Sequence, residues 1–117
     1  MDIAALLELS DDDLQEMLGV ALLGGGPGMS PADHESYRRF GKEWFGRRYH
    51  DLRRRICGNE HLGALRESSS ADRVLDALAV QQILSQFDEY AANSLVLAVL
   101  VVRIGVGTFC SGYQCKS

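Results

Sequence analysis

The chain has 117 residues and a mass of 12.9 kDa, with 46% hydrophobic and 24% charged residues, a composition typical of one soluble globular domain. Two prolines and three cysteines exclude collagenous and proline-rich chains and a small disulfide scaffold. Residues 1–4 carry no basic group before their apolar side chains, so they do not resemble a signal peptide. We therefore expect a cytoplasmic protein that does not enter a membrane.

Residues 1–23 predict two acidic helices. Asp2 is placed to cap the first, and Ser10 to cap the second, because a serine oxygen accepts from the free amides of a first turn. The carboxylates at 11–13 lie where the helix dipole favours negative charge. A glycine-rich loop over 24–29 then ends the second helix. The apolar stripe predicted to face inward is Leu14, Met17, Leu18, Ala21 and Leu22.

A basic helical segment is predicted over residues 30–57, with Ser30 as its cap and Pro31 in its first turn. Two apolar sets keep helical spacing along it, namely Tyr37, Phe40 and Trp44, and then Tyr49, Leu52 and Ile56. These sets point to faces about 100° apart. The segment therefore either breaks or kinks near Gly46, or forms a long helix whose buried face winds around the bundle. We favour a break or kink, because Gly41 and Gly46 weaken a helix interior.

The next predicted helix covers residues 71–87, and Ser69 with Asp72 provides a start resembling a capping box. Apolar residues recur along it at helical spacing, which predicts one buried stripe. The residues expected to face inward are Val74, Leu75, Leu78, Ala79, Ile83 and Leu84.

The last predicted element, at residues 89–106, contains eight consecutive apolar residues from Leu95 to Val102. Its valines are compatible with a strand, but its length favours a buried helix, and no second strand is available to pair with it. A membrane span is disfavoured because Asn93, Ser94 and Arg103 interrupt the apolar run. The sequence thus predicts an all-α fold.

The expected architecture is a single domain, residues 1–117, built as a compact bundle of about five helices. An apolar helix near residues 89–105 is expected to be buried in its core. Residues 107–117 are expected to form a flexible tail.

Charge is distributed unevenly along the chain, whose net charge is −4. Residues 1–35 contain eight acidic and no basic residues, whereas residues 36–57 contain eight basic and two acidic ones. Residues 58–117 contribute a net charge of −2. Such asymmetry predicts a surface with opposed acidic and basic poles, which bears on association with partners.

Three cysteines and three histidines supply the candidate reactive groups. A zinc set of Cys57, His61, Cys110 and Cys115 has the right ligand types, but it lacks the close C-x2-C pairs typical of zinc sites. A disulfide between Cys110 and Cys115 is geometrically feasible, but the expected reducing compartment favours free thiols. We therefore predict no metal and no cofactor.

No catalytic pair or phosphate loop is predicted either. Cys57 lies two helical turns after His50, about 10 Å along the axis, which is too far for direct proton transfer. The loop at 24–30 lacks the Gly-Lys-Ser/Thr ending of a phosphate-binding loop. We expect a protein that is not an enzyme, and a zinc- or cysteine-dependent enzyme is the third hypothesis after the two below.

The charged segments provide the candidate binding residues. Arginine-rich surfaces with aromatic residues suit protein interfaces, so the first hypothesis is a non-catalytic interaction or adaptor module that binds itself or another protein and forms a homo-oligomer or complex. The second is a nucleic-acid-binding accessory protein that uses residues 36–57, whose cations could contact phosphates. The predicted basic face is Arg38, Arg39, Lys42, Arg47, Arg48, Arg53 and Arg54. The predicted acidic face is Asp11, Asp12, Asp13 and Glu16.

In layout, a small all-helical domain with opposed acidic and basic faces is similar to the death-fold-like effector-associated domains of bacterial signalling and defence proteins. That resemblance implies a recruitment module for homotypic or heterotypic association. No sequence motif carries it, so no residue role is transferred.

Overall fold

The apolar periodicity of the chain produces helices throughout the part that a computed structural model describes, which is residues 3–24, 31–58 and 73–111 without the side chains of 31 and 32. No strand occurs in these ranges, which confirms the all-α prediction. Four helices are of seven residues or more, and three short ones accompany them. In chain order they are α1 (Ile3–Leu7), α2 (Asp11–Leu23), α3 (Pro31–Cys57), α4 (Arg73–Leu84), α5 (Asp88–Ala91), α6 (Ser94–Ile104) and α7 (Val106–Phe109).

Helix α2 begins and ends where its sequence predicts. The backbone N–H of Asp13 donates to the Ser10 side-chain oxygen at 3.1 Å, so the predicted cap is confirmed. Gly24 ends the helix at a positive φ of 72°, a conformation that glycine adopts without strain. Leu14 and Leu18 are fully buried, but Ala21 is exposed because it lies in the last turn, so its predicted inward position is wrong. The predicted caps Asp2 and Ser30, and the loop beyond Gly24, lie outside the described residues.

Helix α3 runs without interruption through Gly46, so the predicted break is wrong. The reason is Phe45, which was not counted in either apolar set but is buried. Together with Gly41, Leu52 and Ile56 it forms one continuous inner face along the helix. The aromatic residues of the first set are only half-buried and flank this face.

Two glycines allow α2 and α3 to pack with their backbones in contact. A Cβ added to Gly19 would overlap the carbonyl group of Tyr37, lying 2.7 Å from its carbon. A Cβ added to Gly41 would overlap the carbonyl group of Gln15, lying 2.9 Å from its carbon. Because Gly19 lies against Tyr37 and Gln15 lies against Gly41, the two helices run antiparallel. Glycine is required at this crossing because any side chain would force the helices apart.

Helix α4 presents to the core a face that agrees only in part with the one predicted, since Ile83 and Leu84 are buried as predicted but the first half of the stripe is not. Ala77, Val80, Ile83 and Leu84 are buried. Three residues predicted to face inward are exposed, namely Val74 (36%), Leu75 (58%) and Leu78 (40%). Both stripes fit a helical period, so the choice between them depends on the packing of α4 against α1 and α6. The predicted cap Ser69 with Asp72 lies outside the described residues.

The apolar segment near the C-terminus is helical, as predicted, and α6 is its buried centre. Every residue of the range 97–102 is at most 4% exposed. The predicted helix of residues 89–106 is divided into α5 and α6, and Gly105, with a φ of 100°, separates α6 from α7. Within the described ranges, no helix is both long and apolar enough to span a bilayer.

The predicted flexible tail is wrong over its first residues. Residues 106–109 form α7, and Phe109 and Cys110 are each 1% exposed. The ring of Phe109 packs on Tyr49 of α3 with centroids 4.8 Å apart. Arg53 of α3 donates to the carbonyl oxygen of Ser111 at 2.6 Å. The chain from 107 to 111 is therefore fastened to α3, and residues 112–117 lie outside the described part.

A disulfide joins Cys57 at the end of α3 to Cys110 after α7, with the Cα atoms 5.6 Å apart. The expectation that Cys110 is a free thiol is therefore wrong. Their closeness in sequence made Cys110 and Cys115 the pair considered for a disulfide. Folding instead brings Cys57 beside Cys110, although 53 positions separate them in the sequence. Both bonded residues are buried. Such a bond limits the conformations of the unfolded chain and so stabilises the fold.

We predict opposite effects for alanine at different glycines of the helical hairpin. Gly19→Ala and Gly41→Ala should each lower the free energy of unfolding by about 1–3 kcal/mol, because the new methyl group overlaps a backbone carbonyl. Gly46→Ala is the matched control, since no described atom lies within 4 Å of an added Cβ there. It should raise stability by up to about 1 kcal/mol. Urea unfolding followed by circular dichroism measures all three, and equal stability of the Gly41 and Gly46 variants would contradict the crossing.

Candidate interaction surface

Folding places the acidic and basic segments side by side, because they form the two arms of the α2–α3 hairpin. Glu16 of α2 lies 2.8 Å from His34 Nδ1 and 3.8 Å from Arg38 of α3. Part of the predicted acidic face therefore neutralises part of the predicted basic face within one molecule. The predicted picture of fully opposed poles is corrected to this extent.

Asp11, another member of the predicted acidic face, takes part in the fold. Its carboxylate accepts from Arg103 Nε at 2.7 Å, and the same arginine donates to the Leu7 carbonyl oxygen at 2.9 Å. Arg103 thereby ties the end of α6 to the α1–α2 junction. Asp12 and Asp13 remain as exposed carboxylates of the predicted acidic face.

A second group of charges joins α3 to α5 around Asp51. The Asp51 carboxylate accepts from Arg54 at 2.5 Å, from Arg55 at 2.8 Å, and from the Tyr90 hydroxyl. Tyr90 is completely buried, and its hydroxyl finds its hydrogen-bond partner in Asp51. Neither Asp51 nor Tyr90 was among the binding residues predicted from sequence, where the spacing of four between Asp51 and Arg55 was the local signal.

Glu89 of α5 extends this network. It accepts from Arg48 at 3.1 Å and from Arg55 at 3.2 Å. The Arg55 guanidinium also lies over the ring of Phe87, 4.6 Å from its centroid, where a cation is attracted to the π face. Arg48 and Arg55 therefore hold α5 against α3. Arg48 was predicted to be a binding residue, but this contact gives it a role within the fold.

The pKa values of this network show that its charges are fixed. Burial alone would raise the pKa of Asp51, but hydrogen bonds from Tyr90, Arg54 and Arg55 outweigh it and hold that pKa well below its ordinary value of 3.8. Burial and the hydrogen bond to Asp51 raise the pKa of Tyr90 from 10.0 to about 12. The hydrogen bond from Arg55 to Asp51 raises the pKa of that guanidinium against the effect of burial. The arrangement suits a structural ion network, since none of these groups changes protonation near neutral pH.

The remaining cations of the predicted basic face point away from the core on α3. Arg39 is 67% exposed and Arg47 is 78% exposed, and each has an ion pair one turn away on its own helix, with Glu35 at 3.4 Å and Glu43 at 3.9 Å. Lys42 is exposed between them. Exposed pairs of this kind contribute little to stability, so these cations can exchange partners readily. We refer to Arg39, Lys42 and Arg47 as the outer basic group.

A shallow depression lies along the hairpin beside two members of the outer basic group. Its lining carries both signs of charge and comes from both α2 and α3, so it combines residues of the predicted acidic and basic faces. We refer to it as the mixed-charge cleft. It is lined by Asp12, Gln15, Glu35, Arg38, Arg39 and Lys42.

Two of the three candidate cysteines form a disulfide with each other. Cys57, the candidate nucleophile, is bonded to Cys110, and both residues belong to the zinc set named above. His61 and Cys115 lie outside the described residues. In the ranges that are described, no group of three or more His, Cys, Asp or Glu residues is placed to hold a metal ion.

Three aromatic residues of α3 contact other rings of the fold. Trp44 meets the Tyr90 ring edge-on with centroids 6.1 Å apart, and Tyr49 contacts both Phe45 and Phe109. Tyr37 and Phe40 are half-buried. The contacts of Trp44 and Tyr49 belong to the packing of α3 against α5 and α7.

Comparisons with protein-family models, with curated proteins and with solved structures find no match to this chain. Function therefore has to be argued from the exposed charges described above.

We predict that Asp51 makes stability depend on pH at the acidic end. The lowered pKa means that the stabilisation is present above pH 3.8 and is lost as pH falls further, because the unfolded state takes up the proton first. Asp51→Asn should lower the free energy of unfolding by about 2 kcal/mol at neutral pH and flatten its decline in acid.

Urea unfolding at a series of pH values measures this effect, with Asp12→Asn as a control on an exposed carboxylate. The control should keep the acid decline of the unsubstituted protein. An equally steep decline in the Asp51→Asn variant would show that another group causes it.

Proposed function

We propose that the protein is a non-catalytic helical interaction module that binds a protein partner, including a second copy of itself, through complementary charges. The observation that carries this proposal is the outer basic group, which is exposed on α3 and in which Arg39 and Arg47 pair with acids of their own helix. Arginine is well suited to protein interfaces because its planar guanidinium binds carboxylates in a bidentate manner.

Self-association has a specific geometry in this proposal. The exposed carboxylates Asp12 and Asp13 of one copy would meet the outer basic group of another. Such a contact joins two different surfaces, so it generates rings or open chains unless another partner ends it. In layout this agrees with recruitment modules of bacterial signalling and defence, and we propose a recruitment role of that kind.

Nucleic-acid binding is the second candidate, favoured by the row of exposed cations on α3. One observation supports the protein partner over it. The rings of Trp44 and Tyr49, which could otherwise stack on bases, are packed against α5 and α7.

The compartment is a further part of the proposal. The Cys57–Cys110 disulfide supports an oxidising compartment, since structural disulfides persist there and are rare in the cytosol. The cytoplasm, which the sequence favours, is the alternative. Alkylation of free thiols in cells quenched with acid and denatured distinguishes them, because both cysteines are buried in the fold and, once unfolded, would be modified only where the bond is reduced.

We predict that Lys42→Glu combined with Arg47→Glu abolishes association without unfolding the protein. Both side chains are exposed and contribute nothing to the core. By contrast, Arg53 and Arg54 are unsuitable for this test because they bind Ser111 and Asp51 within the fold. Solution mass by light scattering provides the measurement, at ionic strengths where the Debye length is roughly 30 Å (0.01 M) and 3 Å (1 M).

The unsubstituted protein should exceed the monomer mass at low salt and approach it at high salt, whereas the double variant should be monomeric at both. A control with Arg73→Glu, Gln82→Glu and Gln86→Glu makes the same change of net charge on exposed positions elsewhere. It should associate normally. Normal association of the double variant, or equal loss in the control, would contradict the proposed surface.

A further inference from the structure

The outer surface of α3 contains a glycine that the described fold does not require. Gly19 and Gly41 are needed where α2 crosses α3, as their neighbours leave no space for a Cβ. Gly46 differs from both, because no described atom lies within 4 Å of the position that its Cβ would occupy. It is exposed near the middle of a 27-residue helix, where glycine weakens the helix relative to alanine.

Such a glycine leaves a notch at which another backbone can approach α3 closely. The same helix already shows this kind of packing one turn earlier, where Gly41 lets the backbone of α2 come into contact. That crossing uses the inner side of α3. Gly46 offers an equivalent point of close approach on the side that faces solvent.

The charges around Gly46 indicate which surface would fit there. Lys42 lies one turn before it, His50 one turn after it, and Arg47 directly beside it, all exposed. Glu43 is the acidic residue among them and is paired with Arg47 at 3.9 Å. A second copy of the same face would bring cations against cations, so a surface of opposite charge is favoured.

We propose that Gly46 marks the point where an acidic α-helix of a partner protein crosses α3 with the two backbones in close contact. Lys42 and Arg47 then pair with carboxylates on either side of the crossing. This inference rests on the proposed function and names the kind of partner that the outer basic group binds.

The test uses a fluorescent, alanine-based helical peptide with five glutamates along one face. The matched control peptide has five glutamines at the same positions. Fluorescence anisotropy at low salt measures the binding of each peptide to the full chain and to two variants, Gly46→Ala and Gly107→Ala. Gly107 is the control because it is also exposed with no described atom within 4 Å of an added Cβ, but it lies on α7.

We expect the glutamate peptide to bind and the glutamine peptide not to bind. Gly46→Ala should weaken binding about tenfold, because its methyl group holds the helices apart, although the variant is at least as stable as the unsubstituted protein. Gly107→Ala should leave binding unchanged. The stability of the Gly46→Ala variant separates lost binding from lost folding.

Three results would overturn the inference. Unchanged binding by Gly46→Ala, with loss in the Lys42→Glu and Arg47→Glu double variant, would leave the proposed function standing but remove the close crossing. Equal binding of both peptides would remove the role of charge. Displacement of the glutamate peptide by a short DNA duplex at lower concentration would show that the surface binds phosphates instead.

Discussion

The contact between the backbones of α2 and α3 determines how the other helices pack. Gly19 and Gly41 allow it, and it fixes the rotation of α3 about its own axis. With Gly41 turned toward α2, Phe45, Leu52 and Ile56 follow on the inner face. The later part of the chain then packs along the second half of the same helix, where Tyr90, Phe109 and Cys110 all find their partners.

The same rotation sorts the arginines of α3 into two groups. Those beside the inner face join other elements, as Arg48 and Arg55 do with Glu89. Those opposite to it pair with acids of their own helix, as Arg39 and Arg47 do. A long helix rich in arginine is thus both the centre of the fold and the proposed binding element. Its two roles are separated by direction around the axis, not by position along the chain.

Features that depend on neighbouring residues were predictable from sequence. The Ser10 cap, the end of α2 at Gly24 and the helical state of the apolar segment near the C-terminus all have local causes. Features set by distant contacts were not. The continuity of α3 depends on Phe45 being buried, and the face of α4 depends on which of two equivalent stripes meets α6. The disulfide joins cysteines that only folding brings together.

The candidate site also has features that could be predicted from sequence and features that could not. Sequence identified the basic segment because charge composition is visible without a fold. It could not distinguish the exposed Arg39 and Arg47 from Arg53, which binds the carbonyl of Ser111 within the fold. Nor could it show that Asp11 of the predicted acidic face binds Arg103. That separation depends on the orientation of each side chain and on residues more than fifty positions away. The composition of the sequence therefore indicates the basic segment, and the structure shows which of its side chains belong to the outer basic group.

Amide hydrogen exchange along α3, followed by NMR, tests whether this helix is one unbroken element with an inner and an outer face. Continuous protection from Gly41 to Ile56, including the amides that follow Gly46, is the result expected from the structure. Fast exchange over residues 46–50 between two protected halves would contradict it. The helix would then be two segments joined at a hinge, and the outer basic group would not form a single surface.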